Sequence, residues 1–173
     1  LGLGYKDTKR TIEDAKRAQD LGAIALQVVP PIFNLPTQDD ILRFFGDLSD
    51  AIDIGIMVYV TKGMYTPIYM DTYHKMVDFE NVVAVKWGAV VGEYEDIFEL
   101  SDRFNIIDNG TGPVGCHKLG GKGYINTTAD IHPAHDLRIW ELCESKRYDE
   151  AQALIDSVDV PLAKVAAKAH EHA

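Results

Sequence analysis

Short apolar runs recur along this chain, and a stretch of helical periodicity follows almost every one of them. The segments "IALQVV" (24–29), "IGIMVYV" (54–60), "VVAVK" (82–86), "NIID" (105–108) and "GYINTT" (123–128) read as strands, and "LGLG" at the start reads as the tail of a sixth. Several of these runs are apolar at successive positions, so both faces of the pleat must be covered. Strands of that kind separated by helices make a parallel sheet with helices packed against it.

The intervening helices carry their own signals. Asp7 or Thr8 can cap a helix to about Leu21, with Ile12, Ala15, Ala18 and Leu21 on one stripe and Gly22 beyond its end. Thr37 can cap a helix over 37–51, with Asp39 and Asp40 in its first turn and Ile41, Phe44, Phe45 and Leu48 on its apolar face. Further helices are expected over Met70–Val77, Tyr94–Phe104 and Val114–Leu119. After Pro133 the pattern is helical throughout, in segments 133–145, 148–157 and 160–171.

Two parallel architectures fit this pattern. An open doubly wound sheet usually carries a glycine fingerprint in its first strand–helix turn, which "LGLGYKDTK" matches only superficially. A (β/α)8 barrel gathers its functional polar residues at the carboxyl ends of its strands, where Tyr59, Lys86 and Asp108 all stand. Six units do not close such a barrel. On the barrel reading two are expected upstream of Leu1, which is itself not a methionine.

The formal net charge of −10 excludes a nucleic-acid interface of the usual basic kind. No apolar run approaches the roughly 20 residues of a membrane span, and the N-terminus lacks the order of a signal peptide. Cys116 and Cys143 have no metal-like spacing and read as reduced thiols of a cytoplasmic protein.

Lys86 terminates a greasy strand, and Tyr59 stands near the end of the strand before it. Neighbouring strands lie about 5 Å apart, which would put both side chains at one mouth. A neutral lysine can attack a carbonyl, and a tyrosine hydroxyl beside it can move the protons that imine formation requires. On the residues alone, the commoner arrangement is a lysine reaching water and a tyrosine at the core edge.

Three stretches resemble the dihydrodipicolinate synthase/N-acetylneuraminate lyase family of class I aldolases. "VVPPIFNLPTQDDILRFF" resembles a family strand, its Pro-Tyr-Tyr-Asn-type turn and the helix after it. "IMVYV", followed 27 residues beyond its tyrosine by the lysine of "VVAVKWG", resembles the family's proton-relay tyrosine and Schiff-base lysine. "LGGKGYINTTADIHPA" resembles the glycine-rich turn before the eighth strand. The resemblance implies a (β/α)8 TIM barrel with extra C-terminal helices, of which this chain holds roughly the third to eighth βα units. Residues 1–132 would form the barrel part and 133–173 a helical region packed on it. The family's Thr-Thr-type carboxylate motif would fall upstream of Leu1.

The resemblance implies a Schiff-base lyase, an aldolase or dehydratase acting on pyruvate or a related 2-oxo acid. Lys86 would be the nucleophile and Tyr59 the relay, with no metal and no cofactor. Asn109, Trp87, Phe33, Thr127 and Met64 are expected to line the substrate. The chain departs from typical dihydrodipicolinate synthases. Val60 and Lys62 replace the Asn and Pro after the relay tyrosine, Met64 replaces an arginine, and Phe33 replaces a tyrosine. Trp87 stands where a small or acidic residue is commoner after the lysine, and together these departures suit a substrate with an apolar or bulky distal part. A homodimer or homotetramer is expected, with no nucleic-acid or membrane partner.

Two alternatives accompany this reading. "DNGTGPVG" (108–115) could bind phosphate through its backbone amides, as in a phosphosugar aldolase. A binding relative without turnover is the other. His132 and His135 of "HPAH", with no further ligands at suitable spacing, read as surface residues at a helix start.

Overall fold

The computed structural model describes residues 1–4, 7–32, 34–61, 66–110 and 112–170. Six strands form one sheet in sequential order, every neighbouring pair parallel. They are β1 (Gly2–Leu3), β2 (Ala25–Val28), β3 (Gly55–Tyr59), β4 (Val82–Trp87), β5 (Asn105–Asp108) and β6 (Gly123–Tyr124). Parallel strands added one after another, each returned by a crossover, build the wall of a (β/α)8 barrel. This sheet is six strands of that wall.

The helices are α1 (Thr8–Asp20), α2 (Gln38–Ala51), α3 (Met70–Met76), α4 (Pro113–Lys118), α5 (Pro133–Glu144), α6 (Tyr148–Leu154) and α7 (Val160–His170). Asp7 caps α1 by accepting from the Arg10 amide, while Leu21, expected on the buried stripe, is 79% exposed beyond the helix end. Thr37 and Asp40 form a reciprocal capping box on α2. Ile41, Phe44, Phe45 and Leu48 of α2 are buried against the sheet, each burial stabilising the fold by about 1.5–3 kcal/mol.

Two expected elements differ. In place of a helix from Tyr94 to Phe104 there is one 3-10 segment, Asp96–Leu100. The Trp87 indole donates to the Tyr94 carbonyl at 2.8 Å, taking the acceptor that an α-helix would offer to the Phe98 amide. That amide turns instead to the Glu95 carbonyl three residues back, at 3.0 Å. The strand expected over 123–128 stops at Tyr124, because Asn126 caps a 3-10 turn over Thr127–Asp130 through the Thr128 amide.

Leu26, Val28, Ile56, Val58, Val82, Val85 and Ile106 point into one core with α2 and α3, and Val114, Ile139, Leu142, Cys143 and Ala151 form a second cluster. That second cluster joins α4 to α5 and α6, with Tyr124 packed against it. α6 and α7 are joined by a π-helical turn over Ile155–Asp159. His135 is buried rather than on the surface, because its Nε2 meets Asp159 Oδ2 of that turn at 2.9 Å. No helix among the described residues is long and apolar enough to cross a membrane.

Candidate active site

Strand pairing places the two residues the sequence singles out. Ile56 is opposite Val82, but one rung later Met57 is opposite Ala84, so Val83 is the extra residue of a β-bulge. The bulge advances β4 by one position, and Tyr59 therefore faces Lys86 instead of Val85. Lys86 Nζ lies over the Tyr59 ring, 3.9 Å from its centroid. Both side chains are half-buried at the carboxyl edge of the sheet. They continue the row of Met57 and Ala84, whose face borders a cavity of about 530 Å³.

The Tyr59 hydroxyl accepts a hydrogen bond from Thr61 Oγ1 at 2.5 Å. Asn109 follows β5 immediately, and its amide donates to the Trp87 carbonyl at 2.8 Å. Its side chain stands 3.5 Å from the place a Cβ on Gly88 would take, so Asn109 rests against the chain two residues beyond Lys86.

Trp87 is a correction to the expected set. Successive strand residues point to opposite faces, so a residue next to Lys86 cannot share its mouth while both lie in β4. Trp87 is 2% exposed and meets Tyr73 edge-on, with ring centroids 5.9 Å apart. Thr127 is exposed and borders a separate cavity of about 590 Å³ between the β5 and β6 ends and the C-terminal helices. Neither Lys86 nor Tyr59 lines that cavity. Phe33, Lys62 and Met64 lie outside the described residues.

The loop after β5 is organised around Asp108, which is fully buried. Its carboxylate accepts from the Tyr94 hydroxyl at 2.7 Å and from the Gly110 and Gly112 amides at 3.0 and 3.2 Å. The Gly110 and Gly112 amides of this loop thus serve a carboxylate of the chain itself. Burial first, and the bond to Asp108 second, push the Tyr94 phenol far above its ordinary range. Burial likewise raises the Cys116 thiol to about 11.

A second carboxylate network holds the β6 end. Asp136 accepts from the Tyr124 hydroxyl, the Asn126 side-chain amide and Thr128 Oγ1. No cluster of three or more metal-ligating side chains occurs among the described residues. Cys116 and Cys143 are buried and unbonded to each other. The sequence did not single out Thr61 or Tyr94. Thr61 could have been found from the two-residue strand period beyond Tyr59. Tyr94 left no local trace, since its partner lies on another element.

Comparisons with known proteins bear on the family and the fold. The chain is 30% identical over 169 residues to 4-hydroxy-tetrahydrodipicolinate synthase of Psychrobacter sp. (strain PRwf-1), covering 95% of this chain and 55% of that protein. It is 32% identical over 149 residues to the enzyme of the same name from Clostridium perfringens (strain 13 / Type A), covering 81% of this chain and 50% of the relative. The chain thus spans about half the length of the curated relatives it matches. Among solved structures, the chloride-inhibited dihydrodipicolinate synthase from Acinetobacter baumannii complexed with pyruvate superposes with a TM-score of 0.82 at 24% identity, over 90% of this chain and 55% of that one. CdNal from Clostridium difficile in complex with mannosamine superposes at 0.85 and 18% identity, over 96% and 58%. The family model described as the dihydrodipicolinate synthetase family matches residues 1–171, and the chain belongs to that family.

Proposed function

We propose that this protein is a Schiff-base-forming lyase acting on pyruvate or a related 2-oxo acid. The observation that carries the reading is the register pair at the carboxyl edge of β3 and β4, with Lys86 Nζ 3.9 Å from the Tyr59 ring centroid. Family membership and relatives named as 4-hydroxy-tetrahydrodipicolinate synthases support it.

In this reading the neutral amine of Lys86 adds to the ketone carbon and gives a carbinolamine. The carbinolamine oxygen takes a proton from the Tyr59 hydroxyl and leaves as water, and a protonated imine remains on Lys86. The imine draws electrons from the adjacent carbon, so loss of a proton there gives an enamine. The enamine adds to an aldehyde in an aldol condensation, and the reverse step is cleavage. Loss of a hydroxyl from a sugar-acid-like substrate can use the same intermediate. Asn109, against the chain beyond Lys86, is the polar group proposed to meet the substrate.

Borohydride reduction in the presence of pyruvate, followed by peptide mass spectrometry, tests this. The expected result is one reduced pyruvyl adduct on Lys86. An unmodified Lys86 with every 2-oxo acid offered would sink the reading. Binding of those acids by calorimetry without adduct or turnover would select a non-catalytic relative instead.

A further inference from the structure

We infer that Thr61 is a positioning residue for the Tyr59 hydroxyl, holding it by a hydrogen bond supplied within the same strand end. The inference rests on the Schiff-base reading and deepens it.

The local chain explains why the two hydroxyls meet. Extended backbone sends alternate residues to one side. Val60, between Tyr59 and Thr61, is 3% exposed and anchored in the core with Val58 and Ile68. With Val60 held inward, Tyr59 and Thr61 emerge together on the side where Lys86 stands. Thr61 is β-branched, which restricts its side-chain torsion and keeps its hydroxyl directed. Its Oγ1 donates to the Tyr59 oxygen at 2.5 Å, and both residues are half-buried, within reach of water.

This contact fits one need of the chemistry. When Tyr59 gives its proton to the departing carbinolamine hydroxyl, negative charge develops on the phenol oxygen. A hydroxyl already donating to that oxygen stabilises it as the charge forms, and such charge-assisted bonds are stronger than neutral ones. Thr61 can then pass its proton to Tyr59 and recover one from water. One proton enters from solvent, water leaves from the carbinolamine, and the imine carries the positive charge. Thr61 reaches the substrate only through Tyr59.

The test compares Thr61→Val, nearly the same shape without a hydroxyl, and Thr61→Ser, which keeps it, in the full protein with pyruvate as probe. Exchange of the pyruvate methyl protons for solvent deuterium reports the enamine, and borohydride trapping reports the imine. We expect Thr61→Val to lower the maximal exchange rate about tenfold or more, the scale of one lost charge-assisted bond, with the half-saturating pyruvate concentration near wild type. Thr61→Ser should restore most of the rate, and both variants should still give the Lys86 adduct on long incubation. An unchanged rate in Thr61→Val, or equal impairment in Thr61→Ser, would overturn the inference while leaving the Schiff-base reading intact. Absence of the adduct in the wild type would overturn both.

Discussion

Val83 occupies the space that a side chain on Gly55 would need: a Cβ built on Gly55 would stand 2.9 Å from Val83 Cγ2. This fit lies at the bulge that puts Lys86, rather than Val85, opposite Tyr59. A glycine on one strand thus accommodates the extra residue on the next, at the opposite end of β3 from Tyr59.

Gly55→Ala should therefore act on both stability and chemistry. Overpacking of this kind costs about 1–3 kcal/mol. We expect a lower midpoint in urea and slower formation of the pyruvate adduct. Gly55→Ala combined with Val83→Ala should recover most of both, because the clash is removed from the other side. A Gly55→Ala protein unchanged in unfolding and in adduct rate would show that the contact does not hold the register.

The roles proposed for Lys86 and Tyr59 separate by variant. Lys86→Met should give no reducible adduct at that position. Tyr59→Phe should still give it, more slowly by about 10²–10⁴-fold, the usual contribution of a positioned acid–base group. Time-resolved borohydride trapping distinguishes the two, and an equal loss in both would refute a relay role for Tyr59.

Trp87 should affect folding and not substrate. Its ring is buried against Tyr73 and its indole holds the Tyr94 carbonyl. Trp87→Phe should cost about 1–3 kcal/mol through the unpaired carbonyl and lost packing. Adduct formation should stay near the wild-type rate when measured well below the melting point. A large rise in the pyruvate concentration needed for half-saturation would contradict this placement.

The α2 cap makes an acid-side prediction. Hydrogen bonds from Thr37 lower the Asp40 pKa in the folded chain. A depressed carboxylate contributes stability above its unfolded pKa and loses it as pH falls through the folded value. Thr37→Ala should cost about 1 kcal/mol near neutral pH. The difference from wild type should shrink in urea titrations carried down through the carboxylate range.

The alkaline side follows from Cys116. Burial raises its folded pKa from 9.0 to about 11, so the unfolded chain ionises first as pH rises. Stability from this group is complete below the unfolded value and falls as pH climbs from 9.0 to about 11. Cys116→Ser should flatten that part of the profile in urea unfolding followed by circular dichroism.

Local pattern accounts for the elements that formed as expected. The capping box at Thr37 and the 3.6-residue stripe of Ile41, Phe44, Phe45 and Leu48 both lie within one stretch of chain. Tyr94 shows where local reading stops. Its surroundings suggest a helix, yet its carbonyl is taken by an indole seven residues away and its hydroxyl by a carboxylate fourteen residues on. His135 shows the same, since its partner Asp159 comes from a helical turn that folds back on α5.

The sequence by itself determined the alternation of strands and helices, hence the parallel sheet, and it marked Tyr59 and Lys86 as strand-end residues. Periodicity and caps are properties of neighbouring residues, so they survive in one dimension. Only the tertiary structure decided the register, because pairing depends on where a bulge falls and a one-residue slip exchanges one neighbour for the next. That slip is the difference between Tyr59 facing Val85 and Tyr59 facing Lys86. It also decided that Trp87 belongs to the core, that Asp108 holds the loop amides, and that Thr61 reaches the Tyr59 hydroxyl.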